Sequence, residues 1–349
     1  MKSEVEVVAV GARTPLGYTA ENSAAAVRAG LSRYAEYPFT DARGEPVVVA
    51  SDGLLDPKVE GRDRLWPLLQ SVLEEVEAKL GPEVLQRSRL RLWLALPEPR
   101  PGFSEEDAAW LASTLEARLR GRAAQLRVDV AGRGHAGGIQ AVEQAVRECS
   151  EGRDSVCLVV GADSYHHAKT FLWLEKCRRF ALPGIRGGFT PGEGAGCLVL
   201  MSPGLRRRLG LPRLAVVQGV HTAQERLLRD SSSGSFGVGM TQAVEGAVEG
   251  LSLPREGVDE LYTDINGERY RSEEWGFVAL RTPSVWKSTR YRAPSDCWGD
   301  VGAASGVLGG VLAVQAFTRG YARGPRALVL AGSDGGLRGA MLLRTPREA

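Results

Sequence analysis

Short apolar runs alternate with stretches of helical spacing from one end of the chain to the other. Glu4 to Val10 reads as a first strand that enters the glycine-rich turn Gly11-Ala12-Arg13-Thr14-Pro15-Leu16-Gly17. Asn22 to Arg28 is Ala-rich and helical, and Leu65 to Leu80 repeats apolar residues every three or four positions, as an amphipathic helix does. Leu90 to Leu96 is a strand. Ser104-Glu105-Glu106 opens a helix to Leu119, its acids favourable in the first turn. Leu126 to Val130 predicts a strand and Gly137 to Cys149 a helix. Ser155 to Val160 is continuously apolar, the mark of a strand covered on both faces. A helical stretch from Tyr165 to Phe180 precedes the strand Gly196 to Met201.

The second half repeats the theme. Strands are expected over Leu214 to Val220 and Glu260 to Ile265, with helices over Gly239 to Leu251 and Arg271 to Leu280. A Gly/Ala-rich helix, Val301 to Arg319, leads into closing strands Arg326 to Ala331 and Ala340 to Leu343. This alternation predicts mostly parallel sheets with helices between them. Each half ends in two strands after a Gly/Ala-rich helix, which points to an internal duplication with its seam near Ser202-Pro203-Gly204: residues 1–203, then 204–349. The Ser-rich stretch Asp230 to Ser235 reads as a flexible loop.

Composition narrows the function classes. In 349 residues, 44 basic side chains oppose 42 acidic ones, a net charge of +2, so there is no overall basic field to attract nucleic acid. Only six of the basic residues are lysine, an arginine bias read as genome composition rather than a site. No apolar run reaches the roughly 18 residues of a membrane span, and the start MKSEVEVVAVGA lacks the design of a secretory signal. Five scattered cysteines without a CxxC argue against disulfide frameworks and zinc, and fit a reducing cytoplasm. Phosphate-loop, dinucleotide, nucleophile-elbow and HExxH motifs are absent, so no cofactor or metal is expected. The 43 glycines exceed the usual share of about 7% and call for close backbone contacts.

The glycine clusters carry a resemblance. Gly188-Phe189-Thr190-Pro191-Gly192-Glu193-Gly194-Ala195-Gly196 and the strand after it resemble the GF-x-x-GEGAG segment of β-ketoacyl synthases, the condensing enzymes of the thiolase superfamily. The opening GARTPLG is similar to their G-x-x-x-TPLG. Leu158 to Tyr165 resembles their strand-then-GG-x-D/E passage, and Gly302-Ala303-Ala304-Ser305-Gly306 their second-half helix start. The resemblance spans almost the whole chain in order. It implies an α/β, thiolase-like fold with duplicated βαβαβαββ halves in an α-β-α-β-α layered arrangement.

At the catalytic positions the sequence departs from that pattern. The family's acyl-accepting cysteine sits at a helix start, where exposed N–H groups favour a thiolate; aligning Gly138-x-x-Ala141 places His135 there, and the helix dipole is expected to keep it neutral. Asn266, after the strand Leu261 to Ile265, takes the place of the first family histidine, and it reads equally as an Asn-Gly turn. Gly299, with Asp300 beside it, takes the place of the second. The terminal G-F-G-G-T-N passage is altered to Gly332-Ser333-Asp334-Gly335-Gly336-Leu337. Glu193 needs a cationic partner if buried, and Lys287 is the candidate. Cys297 is a candidate reactive thiol. His166-His167 reads as solvated helix surface, since adjacent residues diverge by about 100° and make a poor metal pair. Arg206-Arg207-Arg208 reads as a solvated face.

Two function classes follow. The first is a β-ketoacyl-synthase-like pseudoenzyme that works by binding: a homodimer, a heterodimer with another thiolase-fold subunit in the manner of chain-length factors, or a secretion-linked adaptor, with an acyl carrier or acyl-thioester as ligand. The second is an acyltransferase or acyl-thioester hydrolase, with His135 as base and His135, Asn266 and Asp300 as the site. In it, N–H groups of the closing glycine-rich loop serve as oxyanion donors.

Overall fold

The computed structural model describes residues 4–182, 186–231 and 234–346, so Ser232 and Ser233 of the expected Ser-rich loop lie outside the described residues. The first half comprises β1 (Val5–Arg13), α1 (Ala20–Arg28), β2 (Ala35–Thr40), β3 (Pro46–Val49), α2 (Gly61–Leu80), α3 (Pro82–Arg87), β4 (Arg89–Leu96), α4 (Glu105–Leu119), β5 (Gln125–Arg133), α5 (Gly137–Ser150), β6 (Ser155–Ser164), α6 (Ala168–Lys176) and β7 (Glu193–Met201). The second comprises α7 (Pro203–Leu209), β8 (Ala215–Gln224), α8 (Val238–Ala247), β9 (Glu260–Thr263), α9 (Arg269–Arg281), α10 (Ser295–Trp298), α11 (Ser305–Thr318), β10 (Arg326–Gly332) and β11 (Leu337–Arg344).

Strand order is β5-β4-β6-β7-β1-β8-β11-β10-β9. Within the sheet, the named strands of the two halves pair where Val5, Glu6 and Val7 meet Val217, Val216 and Ala215. Outward from that junction the order mirrors itself, and bridges from Val258 to Trp286 and from Tyr262 to Arg292 place the 286–292 segment beside β9 as the counterpart of β5. The expectation of mostly parallel sheets needs correction. Parallel pairing is confined to β4–β5, β4–β6 and β9–β10, whereas β1, β7, β8 and β11 pair antiparallel with their neighbours. In the second half β10 turns directly into β11 without a helix, and in the first half the chain returns after α6 to run β7 antiparallel to β6.

Three apolar clusters separate the layers. One lies between the sheet and outer helices α2 and α4, and a second between the sheet and α8 and α9. The central one surrounds α5 and α11, which pack on strands of both halves. This central position explains why every residue from Gly306 to Ala316 is buried and why the helix is apolar all round. Glycine permits the close crossing there: a Cβ at Gly138 would stand 2.6 Å from Val307 Cγ2.

The remaining sequence expectations divide. Ser104 caps α4 through a reciprocal capping box with Asp107. The helix expected over 165–180 is shortened to α6. The β2–β3 hairpin was not expected; its inward residues Tyr37, Val47 and Val49 pack with Phe171, Phe180 and Phe189. Arg206 is not a solvated residue of a basic face, because α7 turns it onto buried Glu6 at 2.6 Å.

Candidate functional site

The loops that enter α5 and α11 bring His135 and Asp300 face to face. His135 precedes α5 by two residues, and Asp300 precedes the Gly302–Ala304 turn that opens α11. Nε2 of His135 lies 2.8 Å from Oδ1 and 3.0 Å from Oδ2 of Asp300, with both side chains almost wholly buried. Asp300 also accepts from the Gly302 N–H at 2.7 Å and from Asn266 Nδ2. His135, Asn266 and Asp300 therefore form one cluster. Asn266 still makes its turn, its Oδ1 accepting from the Glu268 N–H at 3.0 Å.

The helix dipole is not the only influence on the charge of His135. Burial opposes the imidazolium, but the adjacent Asp300 charge outweighs it and raises the histidine above its ordinary range. Burial likewise opposes the Asp300 carboxylate, and His135 and Arg271 hold it well below its ordinary range. The cost of a cation near a helix N-terminus is thus met by a carboxylate at the N-terminus of the facing helix.

Around this pair lies an ionic network that sequence reasoning missed. Arg271 approaches His135 Nε2 at 3.3 Å and donates to Asp264 at 2.6 Å and to the Gly332 carbonyl at 2.8 Å. Arg179 joins Glu268 at 2.7 Å to Asp334. The signal the sequence holds for this network is the dense charge of Asn266-Gly267-Glu268-Arg269-Tyr270-Arg271, since the arginine bias on its own reads as compositional. Several arginines are in fact among the most buried side chains, with Arg64 0% and Arg271 2% exposed.

The glycine-rich loop does not offer free oxyanion donors. Gly332 N–H goes to Asp264, Ser333 N–H to the Leu337 carbonyl, Asp334 and Gly335 N–H to Glu98, and Gly336 N–H to the Ser333 carbonyl. At the α5 entrance, Ala136 N–H donates to Ser333 Oγ at 3.0 Å. The donors proposed for the hydrolase reading are therefore taken by the protein's own oxygens.

A cleft of about 460 Å³ opens beside the cluster, with His135, Glu98, Arg100, Arg133, Trp173 and Asp334 among its walls. No cysteine lines it. Cys297 is buried on α10, and burial together with Asp296 raises its thiol, which argues against a reactive thiolate.

The other site residues fall elsewhere. Glu193 is fully buried, but its partner is Arg64, at 2.6 and 2.8 Å, and not Lys287. Lys287 faces solvent and pairs with Asp259 at 2.7 Å. The reason is reach: α2 carries Arg64, 129 positions before Glu193, onto that carboxylate, with its Nη1 held by the Asp56 and Val59 carbonyls. His166 is not solvated. It is buried 3.5 Å from Glu193, against Tyr37, and burial pushes it down to about 4. Gly299 has φ +73°, and its backbone runs against Thr190 and Gly192, leaving no room for a side chain. Among the described residues no group of His, Cys, Asp and Glu is arranged to hold a metal, and no helix is long and apolar enough to cross a membrane.

Solved structures give this architecture its place. A chain of the AntDE:AntF complex, a type II PKS acyl-carrier protein with its ketosynthase bound to the hexaketide, superposes with a TM-score of 0.81 at 15% identity, covering 99% of this chain and 100% of that one. The fold is that of the ketosynthases. The ishigamide ketosynthase/chain length factor matches with a TM-score of 0.79 at 17% identity, over 99% and 100% of the two chains. The module 6 ketosynthase of the bacillaene synthase from Bacillus subtilis 168 matches at 0.80 and 12%, over 99% of this chain and 72% of the other. No family model and no curated protein matches the sequence. The ketosynthase fold is thus established by architecture, while its chemistry has to be argued from the residues.

Proposed function

We propose that this protein is a ketosynthase-fold binding subunit that does not carry out Claisen condensation. The observation that carries the reading is the His135–Asp300 pair: at the helix entrance where a condensing enzyme needs a thiol, an imidazole is held by a carboxylate, and no cysteine lines the adjacent cleft. Without a thiolate there is no group to hold an acyl chain as a thioester. Gly299 supplies no side chain to stabilise a developing charge.

The partner that fits is a second thiolase-fold subunit, as a homodimer or as the counterpart of an active ketosynthase, with an acyl-carrier protein as the further contact. Similarity to structures described as ketosynthase/chain length factor pairs and as a ketosynthase with its carrier protein supports this choice. The division into halves at residue 203 belongs to the same reading, supported by the mirrored strand order. Five free cysteines fit a reducing, cytoplasmic setting.

The deciding experiment incubates the protein with acyl- and malonyl-thioesters and follows thiol release and intact mass. The binding reading expects no turnover and no adduct, together with a stable dimer or a complex with a co-expressed ketosynthase. Condensation product or a covalent acyl adduct overturns it. One observation favours a second reading: His135 lines the cleft and has a carboxylate partner, as a general base does. That reading expects thioester hydrolysis abolished in His135→Ala.

A further inference from the structure

We propose that the cleft beside His135 binds a small carboxylic acid, whose acid group takes the place that the Glu98 side chain fills in the free protein. This goes beyond the binding-subunit reading, since it requires neither a partner chain nor the loss of condensation. Glu98 lies on the loop between β4 and α4. Its carboxylate accepts from the consecutive backbone N–H groups of Asp334 at 3.1 Å and Gly335 at 2.9 Å. Successive N–H groups converging on one carboxylate make an anion-binding turn. Glu98 is thus an internal stand-in that shows how an acid seats there.

The spare hydrogen-bonding capacity of the same walls is of one kind. Arg100 Nε and Arg133 Nη1 are buried without an acceptor, and the Arg100 side chain is only 9% exposed. Its other nitrogens hold Asp163 at 2.5 Å and the Ser164 carbonyl at 2.8 Å. Arg133 spends Nη2 on Glu105. The carboxylates at the cleft are already engaged: Asp163 by Arg100 and the Ala303 N–H, Asp334 by Arg179, Glu98 by the turn. Among the buried side-chain atoms of the described lining residues, donors are left over and acceptors are not. Buried unpaired donors are costly, and an incoming acceptor relieves that cost.

Trp173 completes the wall and offers a flat apolar face for the tail of the acid. A volume of about 460 Å³ falls within the roughly 300–1,000 Å³ of small-ligand sites. Binding needs only a rotation of Glu98, which is half-exposed on its loop.

The test is calorimetric titration of the full chain with benzoate, with inorganic phosphate as a second titrant and circular dichroism to confirm folding. Glu98→Ala removes the competing carboxylate and is expected to bind benzoate on the order of tenfold more tightly than the unaltered protein, the equivalent of one charge-assisted hydrogen bond. Arg133→Gln is expected to weaken binding by a similar factor. Should Glu98→Ala fail to fold, Glu98→Gln removes the charge at the same shape and moves affinity in the same direction. Equal benzoate affinity in all variants, no benzoate binding to a folded Glu98 variant at millimolar concentration, or tighter binding of phosphate than of benzoate overturns the proposal.

Discussion

His135 Nε2 and Asp300 Oδ1 meet at 2.8 Å between the N-terminal ends of the two central helices, 165 positions apart in the chain. Asp300 has three donors, His135, Asn266 and the Gly302 N–H, whereas His135 leans chiefly on Asp300. Removing the carboxylate leaves burial and Arg271, which both oppose the imidazolium, so His135 gives up its proton and Arg271 loses a neighbouring anion. Asp300→Asn is therefore expected to cost about 3–5 kcal/mol, more than His135→Gln, in urea denaturation near pH 6. Equal losses would contradict this ranking.

The same pair sets a pH signature. His135 titrates above its ordinary 6.5, so its contribution is complete below that value and is lost as the pH rises through the folded value. Asp300 titrates below its ordinary 3.8, so its contribution is complete above that value and is lost as the pH falls through the folded one. Stability from the pair is fullest between roughly pH 4 and 6.5 and declines on the alkaline side. In His135→Gln the alkaline decline is expected to flatten; urea midpoints measured across pH 5 to 9, with the same slope in both proteins, would refute it.

These relationships were only partly legible in the sequence. Local patterns placed β6, α4, α5 and α11 because periodicity, capping and small residues act within a few positions. The resemblance carried by the glycine clusters then implied a shared site for His135, Asn266 and Asp300. What stayed hidden was long-range pairing. Nothing near Glu193 points to Arg64, and Lys287, the candidate by its closeness to a motif, ends at solvent beside Asp259. His166 was misjudged because the helix it was assigned to starts two residues later, leaving it on a buried turn. The hairpin Ala35 to Val49 alternates weakly and exposes most of β2, so it lacks a strong strand signature.

Arg64 and Glu193 form an ion pair without solvent contact. Arg64→Met is expected to destabilise the protein by about 3–5 kcal/mol, and Glu193→Gln in the same background to recover much of that loss, because the cost lies in the stranded charge. The Glu193 carboxyl, which burial alone would raise, is held below its ordinary 4.5 by the Arg64 guanidinium and the Asp52 N–H. Its contribution in the intact protein is complete above that value and falls away as acid protonates it. The penalty of Arg64→Met is therefore expected to shrink at acid pH. A penalty unchanged between pH 7 and pH 4 would be the contrary result.

Thiol chemistry separates Cys297 from a functional nucleophile. Cys177 is exposed, whereas Cys149, Cys157, Cys197 and Cys297 are buried, and burial raises the Cys197 and Cys297 thiols. Titration of the native protein with a chromogenic disulfide is expected to release one fast equivalent, lost in Cys177→Ser, with the rest appearing only on unfolding. A fast equivalent lost in Cys297→Ser would restore that residue as a candidate.

Placing a histidine at position 299 is expected to fail for steric reasons. Gly299 sits at φ +73°, and a Cβ there would stand 2.9 Å from the Thr190 carbonyl and 3.0 Å from Gly192 Cα. The neighbouring backbone cannot withdraw, because Asp300 N–H donates to the Thr190 carbonyl and Gly192 N–H to the Asp300 carbonyl, both at 2.8 Å. Left-handed backbone costs a non-glycine residue about 1–3 kcal/mol, and overpacking adds about 1–3 kcal/mol more. Gly299→His is thus expected to lose about 2–6 kcal/mol of stability and to gain no malonyl-thioester decarboxylation. A His135→Cys/Gly299→His double variant of undiminished stability that releases carbon dioxide would contradict this expectation, because the backbone contacts at Gly299 leave no space for the added side chain.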